Sequence, residues 1–520
     1  ALRFAELAAD AAGYAPPDPP PLRPEPASER PVDPAMAAPL PFPRLDLPAK
    51  VDGSYLFAGD VRLPDMVYAA IRHGPLPRAL LREFDKEAAA GSAGLLRVVH
   101  GKRWLAAVAS NWWAAEQALV KLHPRFALTG TLEGALIDEA LDSGVRRGKP
   151  QRIVEVGDGD AGLDKPDLAL RYDVAPATHA TLETASATAR LRDGKLELWI
   201  ASQAPEHARR AAARALGMAE RDVVLYPMPA GGSFDRRLEN DHAVEAALIA
   251  REAGRPVQLV WSRWQEHVAG RPRTPVAAVL AARTDKSGNI ATFRARLALP
   301  ATAREFGHRL FDDATGWAAI AAAEGKADPM AVEGAAPSYA IPNMAVDHVP
   351  VTLPLPTGRM RGNAHGYTAF FVESFIDELA RRHKREPLSY RIAMLEGDLR
   401  LAACLQKVAR LAEWDGGNDQ SGHGLACHRI GDGCIAIIAT ASRGEGGVRV
   451  DRLSAVADIG RIVNLDIARQ QIEGGLVFGI GCALGASLSY GGGLPSTARL
   501  AALDLPLLAD CPEIAVDFLE

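Results

Sequence analysis

Four short segments of this 520-residue chain carry residue types suited to holding a large polar ligand. Gln203 stands in "IASQAPEHARR", between a strand-like run and a helical one. In "YPMPAGGSFDRRLENDHAVEAA" the pair Gly231–Gly232 follows the strand-like "RDVVLYPM", and Ser233, Phe234, Asp235, Arg236 and Arg237 come directly after it. Arg361, Gly362 and His365 share "GRMRGNAHGY", and Gln471 lies in "RQQIEGG". Carboxamides, guanidiniums and unhindered backbone N–H groups at strand and helix ends donate to phosphates and carbonyls. Adjacent glycines serve a tight turn with positive φ, or a close approach of the backbone to something large and polar. Taken singly, each segment also has a plain structural explanation. Gln203 can cap a helix, the glycines can form an ordinary turn, and Arg361 can be a surface charge. Gln471 can be a solvated helix position and His365 a structural or solvated histidine.

Other chemistries lack their signatures. There is no Walker A sequence, no GxSxG elbow and no HExxH. The cysteines are Cys404, Cys427, Cys434, Cys482 and Cys511, an odd number with no CxxC pair. Neither a disulfide framework nor a zinc or iron–sulfur site within the chain has a spacing to support it. A redox centre would have to be a bound organic cofactor or lie on another chain. The formal charge of −5 gives no electrostatic reason to invoke nucleic acid or a membrane surface. No apolar run approaches the roughly 18 residues of a spanning helix, so no membrane span is expected.

The elements that must position these residues follow from the patterning. Thirteen of the 37 prolines fall in the first fifty residues, so residues 1–46 are expected to form an extended proline-rich tether. Residues 47–150 read as a small α+β unit. "AKVDGSYLFAGDVRLPDMVYAAIRHGP" suggests short strands, "RALLREFDKEAAAG" a helix, "LLRVVHGKRWLAAVAS" strands, and "NWWAAEQALVKLH" a helix opened by the capping residue Asn111. In residues 151–335, strands are expected at "LELWIAS", "DVVLYPM" and "PVQLVWS", and helices at "APEHARRAAARALG" and "NDHAVEAALIAREAG". "VAAVLAARTDKSGNIATFRARLAL" reads as a hairpin, and Ala301–Pro337 as an Ala-rich loop. Residues 336–520 should hold the amphipathic helix "VESFIDELARRH", the strands "GCIAIIATAS" and "VRVDRLSAVADIG", and the helix "NLDIARQQIEGGLVFGIGCALGASL". Glycines inside that last helix cost about 0.5–1 kcal/mol each against alanine, so close packing or ligand approach should explain them.

In order along the chain, "AKVDGSYLFAGDVRLPDMVYAAI", "SQAP", "GGSFDRR", "RMRGNAHGYTAFFVESFIDELA" and "DIGRIVNLDIARQQIEGGLVFGIG" resemble successive segments of the xanthine oxidase and aldehyde oxidoreductase family. The wording is most similar to the branch of isoquinoline 1-oxidoreductase-like large subunits, and the resemblance runs from about Leu47 to the C-terminus. It implies an α+β fold: an α/β hammerhead domain over 47–150, then molybdopterin-binding domains of mixed sheets and helices over 151–335 and 336–520. It also implies hydroxylation of aldehydes or N-heteroaromatic rings with oxygen from water, on a molybdopterin cofactor with molybdenum, in the cytosine dinucleotide form. Electrons would leave through [2Fe–2S] clusters on a small partner subunit, with a cytochrome as a further candidate partner.

Carried over by position, the resemblance makes Gln203, Gly231, Gly232, Ser233, Phe234, Asp235, Arg361, Gly362 and Gln471 cofactor-binding residues. Gln203 would hydrogen-bond near the metal, and the glycines would keep side chains away from it. Phe234 would also line the substrate side, together with His365. The family loop usually reads GGGFG, so Ser233 and Asp235 replace two glycines; if either needs φ > 0 the substitution costs about 1 kcal/mol or more. The Asp235 carboxylate would also sit beside an anionic cofactor. The resemblance further implies a GQG-type loop upstream of the hammerhead domain, and a base glutamate in a GxGE-like motif after "PEIAVDFLE". Neither motif occurs within the sequence, Glu520 does not sit in one, and no catalytic residue is assigned, the base being expected beyond Glu520. Two readings follow: a molybdenum hydroxylase large subunit or a fragment of one, or a non-catalytic homologue that serves as a scaffold.

Overall fold

A computed structural model describes residues 43–519 except 77, 131, 418–420, 446 and 498, together with Gly13. The tether expected over 1–46 therefore lies outside the described residues for all but Gly13 and its last four positions, as does Glu520.

Mixed sheets covered by helices form the fold. The largest sheet has seven strands, in the order Val223–Pro227, Lys195–Ile200, Ser186–Arg192, Val257–Val260, Val67–His73, Trp104–Ala109 and Leu95–His100. Its centre joins distant parts of the chain, because Val67–His73 pairs in parallel with Val257–Val260. A five-stranded sheet is built around the hairpin Val276–Thr284/Ile290–Leu299, whose antiparallel register runs from Ala277↔Ala298. Its turn holds Ser287, Gly288 and Asn289 as the sequence suggests; the Asp285 carboxylate accepts from the Ser287 and Asn289 N–H groups, and Gly288 takes φ 81°. A four-stranded sheet of His423–Ile430, Gly433–Gly444, Gly447–Asp458 and Glu513–Phe518 completes the main architecture.

Small side chains set the packing distances. On the helix Asp241–Ala253, Ala243, Ala246, Ala247 and Ala250 recur at helical spacing and are all buried, packed with Ala187, Ala189, Leu196 and Leu198 of the seven-stranded sheet. The helix Trp112–Leu122 begins as expected, with the Asn111 side chain accepting from the Ala114 N–H at 2.8 Å. The helix His365–Arg382 buries Phe371, Phe375, Ile376 and Leu379 in the largest core. Among the described residues no helix is long and apolar enough to cross a membrane.

Three expectations are corrected. Residues 79–83 form the strand Ala79–Glu83, held by antiparallel pairing with Arg125–Leu128. Of the expected helix only Lys86–Ala89 remains, capped by Asp85. Tertiary pairing has overridden local propensity here. The Ala-rich stretch 301–337 is no loop; it contains the helices Thr302–Phe311 and Gly316–Ala323. Alanine is the best helix former, and Gly307 and Gly316 are accommodated within these helices. Residues 47–60, read as strand, instead hold the helix Leu47–Asp52 and the single turn Ala58–Asp60.

Candidate functional site

Two adjacent parallel strands bring the first two segments together. Val223–Pro227 pairs with Lys195–Ile200, Pro227 lying beside Ile200, so both strands end at the same edge. Gln203 leaves one strand end and the Gly231–Asp235 loop leaves the other. The Gln203 N–H donates to the Arg237 carbonyl at 2.9 Å. The Gln203 carboxamide donates to an Asp235 carboxylate oxygen at 3.1 Å, while its own oxygen accepts from the Ser233 hydroxyl. The carboxyl ends of parallel strands are where open α/β sheets bind ligands.

Each residue of the loop has a separate reason for its conformation. The Gly231 N–H donates to Glu183 at 2.7 Å and its carbonyl accepts from the Glu183 N–H at 2.9 Å. A Cβ at Gly231 would stand 2.6 Å from the Glu183 Cβ, so this glycine answers to Glu183 packing and not to clearance around a metal. Gly232 takes φ 101°. Of the two residues that replace glycines, Asp235 does adopt the left-handed region, with φ 74°, whereas Ser233 does not. Phe234 is left-handed as well, with φ 53°. Each such non-glycine residue costs about 1–2 kcal/mol, less for aspartate, and persists because its surroundings hold it. Consecutive left-handed residues turn successive N–H groups the same way. The N–H groups of Gly232, Ser233, Phe234 and Asp235 have no hydrogen-bond acceptor among the described residues, which leaves four backbone donors free for an anion.

The third and fourth segments meet this loop at Phe234. The Arg361 N–H donates to the Phe234 carbonyl at 3.1 Å, and the Arg361 guanidinium donates to the Gln471 carbonyl at 3.1 Å. Gln471 lies on the helix Leu465–Leu484, capped by Asn464. Phe478 of that helix packs tilted against Phe234, ring centroids 4.8 Å apart, and lies 5.8 Å beneath the Arg361 guanidinium. A Cβ on Gly475 would come 3.4 Å from that guanidinium and one on Gly474 4.0 Å, ordinary contact distances, while one on Gly479 would meet nothing, so packing within the chain does not account for these helix glycines. Gly362, with φ 83°, turns the chain back into the helix His365–Arg382. Arg359 stands 3.6 Å from the Asp235 carboxylate and is itself held by Asn363.

His365 is engaged elsewhere. Its Nδ1 lies 2.8 Å from Nε2 of His428, and its Nε2 lies 3.8 Å from Glu333, residues outside the loop network. Burial pushes both imidazole pKa values down, that of His428 to about 4, so the pair is neutral near pH 7.

Beneath the loop lies a buried ionic layer that sequence reasoning left unassigned. Arg236 and Arg237 are each 2% exposed in the side chain, and both donate to Oε1 of Glu266, at 2.8 and 3.1 Å. The second Glu266 oxygen accepts from the Ala185 N–H, and Arg237 also donates to the Glu183 carbonyl. Burial works to raise the Glu266 pKa, but the Arg236 and Arg237 charges outweigh it and hold the carboxyl well below the usual range. Arg309 continues the layer, bridging the Glu239 carboxylate and the Thr357 carbonyl four residues before Arg361. The only signal for this layer in the sequence is the Arg-Arg pair itself, since Glu266 and Arg309 lie 29 and 72 residues further on.

Glu305, beside Arg309 and Thr357, gives a pH signature. Burial, opposed by the Arg309 charge, pushes its pKa from an ordinary 4.5 up to about 7. A raised carboxyl pKa favours the folded state fully below about 4.5, and that contribution is lost as pH rises through about 7, roughly 3 kcal/mol in all. Glu305→Gln is expected to remove this slope, so denaturant unfolding at pH 5 and pH 8 should differ less in the variant than in the wild type.

Comparison with known proteins places this geometry. The molybdopterin cofactor-binding domain family matches residues 145–395 and, through a second domain of the same description, residues 405–512. The isoquinoline 1-oxidoreductase subunit beta of Brevundimonas diminuta is 26% identical over 92% of this chain. The chain spans 62% of that relative's length. Quinoline 2-oxidoreductase from Pseudomonas putida 86 superposes with a TM-score of 0.75 at 14% identity, covering 92% of this chain and 91% of that one. Aldehyde oxidoreductase from Desulfovibrio gigas gives 0.76 at 15% identity, covering 94% and 76%. These likenesses bear out the mixed α+β fold.

Proposed function

This chain belongs to the molybdopterin cofactor-binding family of molybdenum hydroxylase large subunits, and on that premise we propose that it is the cofactor-binding subunit, or part of one, of an oxidoreductase hydroxylating aldehydes or N-heteroaromatic compounds with oxygen from water. The observation that carries the proposal is convergence. Four segments separated by up to 268 residues, from Gln203 to Gln471, meet at the carboxyl ends of two parallel strands.

The residues present suit an anionic cofactor in two respects. The N–H groups of Gly232 to Asp235 are free donors, and the Arg361 guanidinium, which makes a single hydrogen bond to a carbonyl, brings a positive charge to the same loop. Phe234 and Phe478 form an apolar wall next to these donors, suited to excluding water. When bound, a molybdopterin with molybdenum supplies the two-electron redox centre and a metal that activates water. In this proposal Arg361 and the loop N–H groups hold the cofactor's charged groups, Gly362 gives the backbone room, and Gln471 orients Arg361 through its carbonyl. Phe234 lines the substrate side, and His365 stands on the same segment as Arg361. The cytosine dinucleotide form, a small [2Fe–2S] partner subunit and a cytochrome acceptor belong to the same reading.

One observation favours a second reading. Both ends of the Gln203 carboxamide are taken by Ser233 and Asp235, and Asp235 adds a carboxylate that, among the described residues, is ion-paired with Arg359 alone. A homologue that keeps the fold as a scaffold would look like this. The molybdenum-to-protein ratio of the protein purified from its own host, read by elemental mass spectrometry, separates the two. About one metal per chain is expected; a ratio near zero in the intact native complex would sink the enzyme reading and leave the scaffold.

A further inference from the structure

A second cavity, of about 580 Å³, opens on a different part of the molecule. It lies between the end of the strand Val67–His73, the Lys102–Trp104 turn and the ends of the helices Pro205–Leu216 and Asp241–Ala253. None of Gln203, Gly231–Asp235, Arg361 or Gln471 lines it. Its volume falls within the range of roughly 300–1,000 Å³ usual for small-molecule sites.

The charges around it do not balance locally. Arg309 is paired with Glu239, and Arg214 with Asp313. Glu245 is taken by His73 at 2.7 Å and by the Trp261 indole N–H at 2.9 Å. Asp241 is the only remaining acid, and it meets Arg271 loosely, at 3.4 and 3.5 Å. The side chains of Arg103 and Lys102 have no hydrogen bond or ion pair among the described residues, Asp241 acting on Arg103 only through its charge. Burial, then the neighbouring charges of Arg271 and Arg78, push the Arg103 pKa down, with the Asp241 charge opposing them. Two deeper donors are unused as well. Nε of Arg271 has no partner, and Nη1 of Arg309, whose side chain is 5% exposed, makes no hydrogen bond, Glu305 being 3.9 Å away. Buried donors without acceptors cost about 1–3 kcal/mol each. Alongside these charges the walls are apolar and aromatic, with Trp104, Trp261, Leu76 and Val244.

We propose that this cavity is a binding site for an organic carboxylate with a flat apolar body, its carboxylate taken by Arg103 and Arg271 and its body lying against Trp104. A guanidinium pairs with a carboxylate through two parallel N–H···O bonds, and an arriving anion would relieve the repulsion between Arg103 and Arg271. The proposal does not depend on the function assigned to the loop network.

The test is isothermal titration of the purified protein with naphthalene-2-carboxylate, and with 2-naphthylmethanol as the uncharged analogue. Saturable one-to-one binding of the acid is expected, with the alcohol at least tenfold weaker. Arg103→Met should weaken the acid about tenfold or more while leaving the alcohol unchanged. Because Arg103 has no partner, the variant should fold normally, and relief of the like-charge repulsion should leave its melting temperature equal or higher. Arg361→Met should leave acid binding intact. The proposal is overturned if the acid does not saturate, if acid and alcohol bind equally, or if the affinity follows Arg361 instead of Arg103.

Discussion

Glu266→Gln is expected to lower the unfolding free energy by about 3–5 kcal/mol at pH 7, the usual loss when one partner of a buried ion pair is removed. Glu266 is the shared acceptor for Arg236 Nε, Arg237 Nη1 and the Ala185 N–H, and among the described residues no other carboxylate hydrogen-bonds either guanidinium. Glutamine keeps the shape but removes the charge, leaving two buried cations side by side. The sign of the pH dependence follows from the low carboxyl pKa. A depressed folded pKa contributes stability above the ordinary value near 4.5 and loses it as pH falls. The gap between variant and wild type should therefore be widest near neutrality and narrow toward pH 3. Guanidinium unfolding at pH 7 and pH 3.5 measures both. A loss below about 1 kcal/mol at pH 7 would mean that the arginines do not rely on Glu266 for their charge balance.

Arg361→Met carries the largest expected effect on cofactor retention. A charge-assisted hydrogen bond is worth about 1.5–3 kcal/mol, which is about a ten- to hundredfold change in affinity. The side chain is only half-buried and donates to a single carbonyl, that of Gln471, so the fold should survive its loss. Molybdenum content of the variant from the native host should fall tenfold or more, with circular dichroism and the unfolding midpoint unchanged. Arg361→Lys should recover part of the content, since lysine keeps the charge but not the planar fork. Undiminished molybdenum in Arg361→Met would remove Arg361 from the cofactor site.

Some of this was legible from residue order alone. The strands at 195–200 and 223–227, the helices at 205–216, 241–253 and 465–484, and the hairpin turn at 287–289 follow from period, caps and turn residues, all of which are local. The four loop segments could be marked because glycine, arginine and glutamine at element boundaries are a local pattern too, and their order carried the family resemblance. Where local preference and long-range pairing disagreed, as at Ala79–Glu83, pairing with Arg125–Leu128 prevailed.

What remained hidden depends on partners far along the chain. The glycine at 231 is explained by Glu183, and the Arg236–Arg237 pair by Glu266. No spacing rule predicts such contacts, because they exist only once the strands Lys195–Ile200 and Val223–Pro227 align and the helix Leu465–Leu484 packs across their ends. By itself the sequence determined the kinds of most elements, though not those at 47–60, 79–83 and 301–337, the residues able to donate to an anion, and the family. Tertiary structure alone decided that Asp235 and not Ser233 is left-handed, that both take the Gln203 carboxamide, and that His365 turns to His428. The physical reason is that a hydrogen bond or an ion pair needs atoms within about 3–4 Å of each other, and only the folded chain brings residues 30 to 300 positions apart to that distance.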